Sequence, residues 1–160
     1  MRYLLLLMWL FSENSLIGQN FNLSELIKMK KMNADEFDTY VVKKGYEFFQ
    51  NNQGDDFTYS STTYTYKVNG AKQAYITKYS NELKKIMISF QTINSKVYLN
   101  FKNDLKIQGF TLLDSGPNDE TNVLRYRKGN IEVLLITGPI RDEANFNNIT
   151  GYEISVKDFK

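Results

Sequence analysis

Hydrophobic positions recur with two periods along this chain, and the change from one period to the other divides it into helices and strands. Asn22 precedes Leu23 and is followed three positions later by Glu25, the order of a helix capping box, and Asn33 repeats it with Glu36. This spacing predicts a helical hairpin with helices over about 23–31 and 34–44. In the second helix Phe37, Tyr40 and Val41 share one face, whereas Asp35, Asp38 and Lys43 face elsewhere. Lys43 and Lys44 stand where the helix dipole favours cations. Gly45 follows as the stop, because glycine takes the left-handed cap conformation without a Cβ penalty.

From Phe57 the composition turns to Thr, Ser, Tyr and Val, and the period becomes two. Strands are predicted over about 57–68, 72–79 and 84–92, with Asn69-Gly70 as a hairpin turn between the first two. In the third, Ile86, Ile88 and Phe90 alternate with Met87, Ser89 and Gln91, which marks a sheet with one buried face.

The remaining chain repeats the plan. Ser95 is placed to cap a helix over about 96–108 with Val97, Phe101 and Leu105 on its apolar stripe, and Gly109 stops it. Strands follow at about 121–128, 131–137 and 151–158, with Gly129-Asn130 where the first half has Asn69-Gly70. Phe37 and Phe101, Val41 and Leu105, Gly45 and Gly109, and Tyr46 and Phe110 pair at an offset of 64. Tyr66 and Tyr126, Lys67 and Arg127, Ile76 and Ile136, and Thr77 and Thr137 pair at 60. In both glycine stops the residues flanking the cap are the apolar pair that accompanies a Schellman motif. The expected architecture is α+β: two tandem repeats, about 22–92 and 95–158, each a helical part followed by an antiparallel meander. Together they form one layer of helices on an antiparallel sheet, within a single domain over 20–160.

The first residues carry a different pattern. Arg2, the apolar run from Leu4 to Phe11 and the polar stretch ending at Gly18 and Gln19 predict a secretory signal peptide over 1–19. The run is too short to cross a bilayer, which takes roughly 20 apolar residues. No transmembrane segment is expected, and the mature protein is placed in the periplasm or outside the cell, with cleavage after Gly18 or Gln19.

Composition then narrows the chemistry. The 160 residues contain no Cys and no His, so thiolate nucleophiles, imidazole bases, disulfides and most transition-metal sites are excluded; no metal and no cofactor are expected. A formal net charge of +2 and an export signal argue against nucleic acid, although Arg125, Tyr126, Arg127 and Lys128 form a short basic patch. Carboxylates cluster at Asp35, Glu36 and Asp38, at Asp55 and Asp56, at Asp119 and Glu120, and at Asp142 and Glu143. Their polar neighbours predict solvated turns and helix starts, not the shielded carboxyl that general acid catalysis requires. Asn51 to Asp56 lacks the ligand alternation of an EF-hand loop.

Aromatic residues make up 14% of the chain, 11 Tyr and 11 Phe against a single Trp, and strand alternation directs some of them outward. If Ile76, Ile88 and Phe90 face the core, then Tyr75, Thr77, Tyr79, Lys85, Met87, Ser89 and Gln91 face away from the helices. Tyr75, Tyr79 and Met87, with Arg125 and Arg127 on their own strand, are the predicted partner-binding residues, since Tyr and Arg are enriched in interface hot spots.

The tandem arrangement over residues 22–158 resembles the beta-lactamase inhibitor protein fold and the small helix-and-sheet modules of outer-membrane assembly lipoproteins. The Lys-rich, Asn-rich, Ala-poor composition resembles that of small secreted proteins of Bacteroidota. The inhibitor proteins hold a disulfide in each repeat, which this chain lacks, so their inhibitory activity does not transfer. The resemblance implies a sheet face that meets a protein partner. The expected function is a non-catalytic exported module that binds a protein or envelope ligand on the open sheet face. The alternative is a small periplasmic hydrolase or transferase that uses the turn carboxylates at Asp55 or Asp119.

Overall fold

A computed structural model describes residues 20–54, 59–81, 85–141 and 148–159. The signal-peptide expectation for 1–19, the carboxylates of Asp55, Asp56, Asp142 and Glu143, and the start of the strand expected from Phe57 lie outside the described residues.

Among the described residues three helices form where the caps predicted them: α1 (Leu23–Met29), α2 (Ala34–Lys43) and α3 (Ser95–Ile107). Asn22 and Glu25 satisfy each other's backbone N–H groups at 2.9 Å, and so do Asn33 and Glu36. Helix α3 is capped one residue earlier than expected. Asn94, not Ser95, holds the extended cap conformation, and its side chain accepts from the Lys96 N–H at 3.0 Å. Both glycine stops are Schellman caps. The Tyr46 N–H donates to the Val41 carbonyl and the Gly45 N–H to that of Val42, while Phe110 and Gly109 donate in the same way to Leu105 and Lys106.

Eight strands make one antiparallel sheet in the order β1-β2-β3-β4-β8-β7-β6-β5. They are β1 (Glu47–Asn52), β2 (Ser60–Val68), β3 (Ala71–Ser80), β4 (Ile86–Thr92), β5 (Thr111–Asn118), β6 (Thr121–Lys128), β7 (Ile131–Arg141) and β8 (Asn148–Asp158). The fold class is α+β. Strands β1 and β5 were not predicted. Each is an outer strand with every residue exposed, so neither carries the alternation that marks a half-buried strand. Asn69 and Gly70 both take positive φ, as a tight hairpin turn joining right-twisted strands requires.

The helices pack on one face of the sheet. Leu23, Leu26 and Met29 of α1, Phe37 and Val41 of α2, and Val97, Phe101 and Leu105 of α3 share a core with Ile76, Ile88, Phe90, Val133, Leu135, Ile154 and Val156. Rings fill much of it: Phe21 lies edge-on to Phe90 at 5.5 Å, and Phe90 lies 6.0 Å from Phe101. An ion pair from Lys30, at the end of α1, to Asp158 ties the helix layer to β8. Among the described residues no helix is long and apolar enough to cross a membrane.

Candidate functional site

Because Ile76, Ile88, Phe90, Ile154, Val133 and Leu135 point toward the helices, their strand neighbours stand on the opposite, open face. The strand register arranges these neighbours in three rows across the sheet. The middle row runs Thr63, Thr77, Ser89, Ser155, Leu134 and Arg125. One flanking row runs Thr65, Tyr75, Gln91, Glu153, Ile136 and Val123; the other runs Ser61, Tyr79, Met87, Lys157, Glu132 and Arg127.

The middle row begins with four hydroxyl residues, and all four are buried although none of the described helices covers this face. They are short, and the longer side chains of the flanking rows overhang them. Their polar groups are satisfied within the face. Thr63 and Thr77 share a hydrogen bond at 3.0 Å, and Ser89 and Ser155 each donate to Glu153 Oε1 at 2.7 Å. Gln91 donates to Glu153 Oε2 at 3.1 Å, so three donors hold this carboxylate. Burial, and then the nearby Glu153 charge, push the Tyr79 hydroxyl above the ordinary phenol range, while a hydrogen bond with Thr77 works the other way.

The five predicted residues all lie on this face, in two groups. Tyr79 stands directly opposite Met87, and Tyr75 lies on the same strand as Tyr79. Arg125 and Arg127 are on β6, four strand positions from β3, or about 19 Å at the usual strand spacing. Between Met87 and Arg127 the row is bridged by the Lys157–Glu132 ion pair at 3.0 Å. Arg127 is engaged within the chain: its guanidinium lies 3.6 Å from the Phe159 ring centroid, and its Nε donates to the Gly129 carbonyl. Tyr75 packs edge-on against Phe49 at 5.6 Å, and the Lys72 ammonium lies 4.4 Å from the Phe49 ring centroid. Sequence reasoning missed Phe49, Lys72 and Glu153. Phe49 faces the open side because Phe48 pairs with core-facing Tyr64, but it lies on an outer strand that the sequence pattern did not reveal. The signal for Glu153 was its place between Tyr152 and Ile154, but two of its three donors, Ser89 and Gln91, come from another strand.

Two grooves lie elsewhere. The larger, about 520 Å³, opens between α3 and the β5–β6 edge and is lined by Leu99, Lys102, Asn103, Lys106, Leu112 and Tyr126, with Phe110 at its floor. The smaller, about 360 Å³, includes Glu120, Asn122, Thr137 and Thr150. Glu120 is the one carboxylate among the residues lining it. Its neighbour Asp119 sits on the exposed β5–β6 turn.

No protein family, curated protein or solved structure matches the chain.

Proposed function

We propose that this chain is a non-catalytic, exported binding module, made of two related helix-and-meander halves, that holds a protein or envelope ligand against the open face of its sheet. The observation that carries the reading is the grouping of Tyr75, Tyr79 and Met87 as half-exposed side chains over a hydroxyl row whose hydrogen bonds are already made. A ligand meeting this surface gains ring contact without stripping water from unpaired buried groups. The spread of candidate residues over several strands suits an extended surface more than a small molecule.

Relatedness of the halves is supported by the two Schellman caps and by bulges at matching positions, between Phe48 and Gln50 in β1 and between Leu112 and Asp114 in β5. It is supported further by a strand order that reads β1 to β4 inward from one edge and β5 to β8 inward from the other. The resemblance to the beta-lactamase inhibitor fold favours the sheet face as the contact surface. Export rests on the basic start and apolar run of residues 1–19.

Two experiments test this function. A Tyr75→Ala/Tyr79→Ala protein is expected to keep its cooperative melt and lose the envelope components that the wild type retains on an affinity column. Retention of the same components by the variant would remove the open face from consideration, and a collapsed melt would show that the rings are structural. N-terminal sequencing of material from the culture medium or periplasm is expected to begin after Gly18 or Gln19; a start at Met1 would contradict export by this signal.

A further inference from the structure

Six of the ten exposed large apolar side chains among the described residues lie at the two edges of the sheet. Val42, Phe48 and Phe49 lie beside β1, and Leu99, Leu112 and Leu113 beside β5. Both outer strands are exposed along their whole length, and each leaves one side of its backbone unpaired in the sheet. All seven strand pairings are antiparallel, so β1 and β5, at opposite ends of eight strands, run in opposite directions. A second copy set alongside without being turned over therefore brings its β5 antiparallel to β1 of the first. The helix layers of the two copies then lie on the same side.

The helices flanking these edges carry opposite charge. Helix α2 contacts β1, and its Asp38 accepts from the Tyr64 hydroxyl of β2 at 2.5 Å, with Asp35 one turn away, so this border is acidic. Helix α3 presents Lys102 and Lys106 along the groove above β5, with Leu99 and Leu112 between helix and strand. Side-by-side placement sets Lys102 and Lys106 of one copy against Asp35 and Asp38 of the next. It also brings Leu99 and Leu112 toward Phe48 and Val42. The reverse pairings, β1 with β1 or β5 with β5, would oppose like charges.

We propose that copies of this chain associate edge to edge, β5 of one beside β1 of the next, into a continuous antiparallel sheet. The contact is heterologous, so an assembly of any length keeps one free β1 edge and one free β5 edge and grows with concentration. The bulges at Phe48/Gln50 and Leu112/Asp114 interrupt each edge, which shortens the shared ladder and leaves charge as the main determinant of pairing.

Analytical ultracentrifugation of the mature protein tests this directly. In low salt the weight-average mass is expected to rise with protein concentration, and salt near 1 M, where the screening length is about 3 Å, is expected to reverse it. Lys102→Glu/Lys106→Glu makes both edges acidic, and Asp35→Lys/Asp38→Asn removes the carboxylates from the acidic edge while keeping an oxygen for Tyr64. All four positions are exposed, and circular dichroism checks that each variant folds. Each variant alone is expected to associate about tenfold more weakly or worse, and an equimolar mixture is expected to recover association, because every β1–β5 contact between unlike variants is again complementary. A wild type that stays monomeric in low salt, a variant that associates like the wild type, or a mixture that fails to recover would each overturn the proposal. So would loss of association in Tyr79→Ala/Met87→Ala, which alters only inner strands and would place the contact on the open face.

Discussion

At Gly45 and Gly109 the backbone takes φ of +86° and +73°, a region that costs an L-residue roughly 1–2 kcal/mol. A Cβ at Gly45 would come no nearer than 3.9 Å to Tyr66, and one at Gly109 would meet nothing. Gly45→Ala and Gly109→Ala are therefore expected to destabilise by similar amounts, about 1–2 kcal/mol each, through backbone strain alone; urea denaturation measures both. Glu25 joins three parts of the helix layer: it caps α1, accepts from the Tyr40 hydroxyl at 2.6 Å and pairs with Lys44 at 2.6 Å. Burial alone would raise its pKa, but the bonds from Lys44, Tyr40 and the Asn22 N–H outweigh that and hold it below the ordinary 4.5. A depressed carboxyl stabilises the fold above its unfolded pKa, and that contribution disappears as pH falls through the folded value. The stability gap between wild type and Glu25→Gln is thus expected to be full at neutral pH and to close in acid below about 4.5, as thermal melts across that range would show. Burial, and then the same hydrogen bond and the Glu25 charge, push the Tyr40 hydroxyl up to about 12.

Helices and inner strands are the elements whose side chains declare them. The capping boxes at Asn22 and Asn33, the stops at Gly45 and Gly109, and the Asn69-Gly70 turn are local chemistry, and local chemistry can be read one stretch at a time. Strands β1 and β5 escaped because they are held by backbone pairing to β2 and β6 and bury no alternating side chains. On the open face, alternation identified Tyr75, Tyr79 and Met87, since that needs only the direction of one strand. The Glu153 cluster needs the register of β4 against β8, and Phe49 needs the existence of β1 and its pairing with β2, so neither follows from spacing. Mutations should separate the two kinds of element. Phe90→Ala, in the central strand and packed on Phe21 and Phe101, is expected to cost about 3–5 kcal/mol. Leu113→Ser, on an exposed edge, should cost no more than about 0.5 kcal/mol. Equal losses in denaturant titrations would contradict this division.

Taken as one body, the protein separates its surfaces by composition. The helix layer closes one side, the ringed and hydroxyl-lined face lies on the other, and the edges stand between them with opposite charge. Edge-to-edge growth would leave every open face uncovered, so an array would present the proposed binding surface many times over and hold a repetitive ligand more tightly than one copy does.

The meeting of β4 and β8 at the centre has a further consequence, for the order in which the chain acquires its shape. Every other ladder joins strands that follow one another, whereas β4 and β8 are brought together from far apart: Ser89 bonds Glu153 across 64 positions. Local hairpins close quickly, and long-range pairings wait on chain entropy. Until β8 arrives, β4 is itself a bare edge, and it carries Ile88 and Phe90, both fully buried in the finished protein. The strand most protected at the end is thus the most vulnerable at the start, and a chain released before Asn148 is expected to aggregate through β4 instead of folding as half a domain.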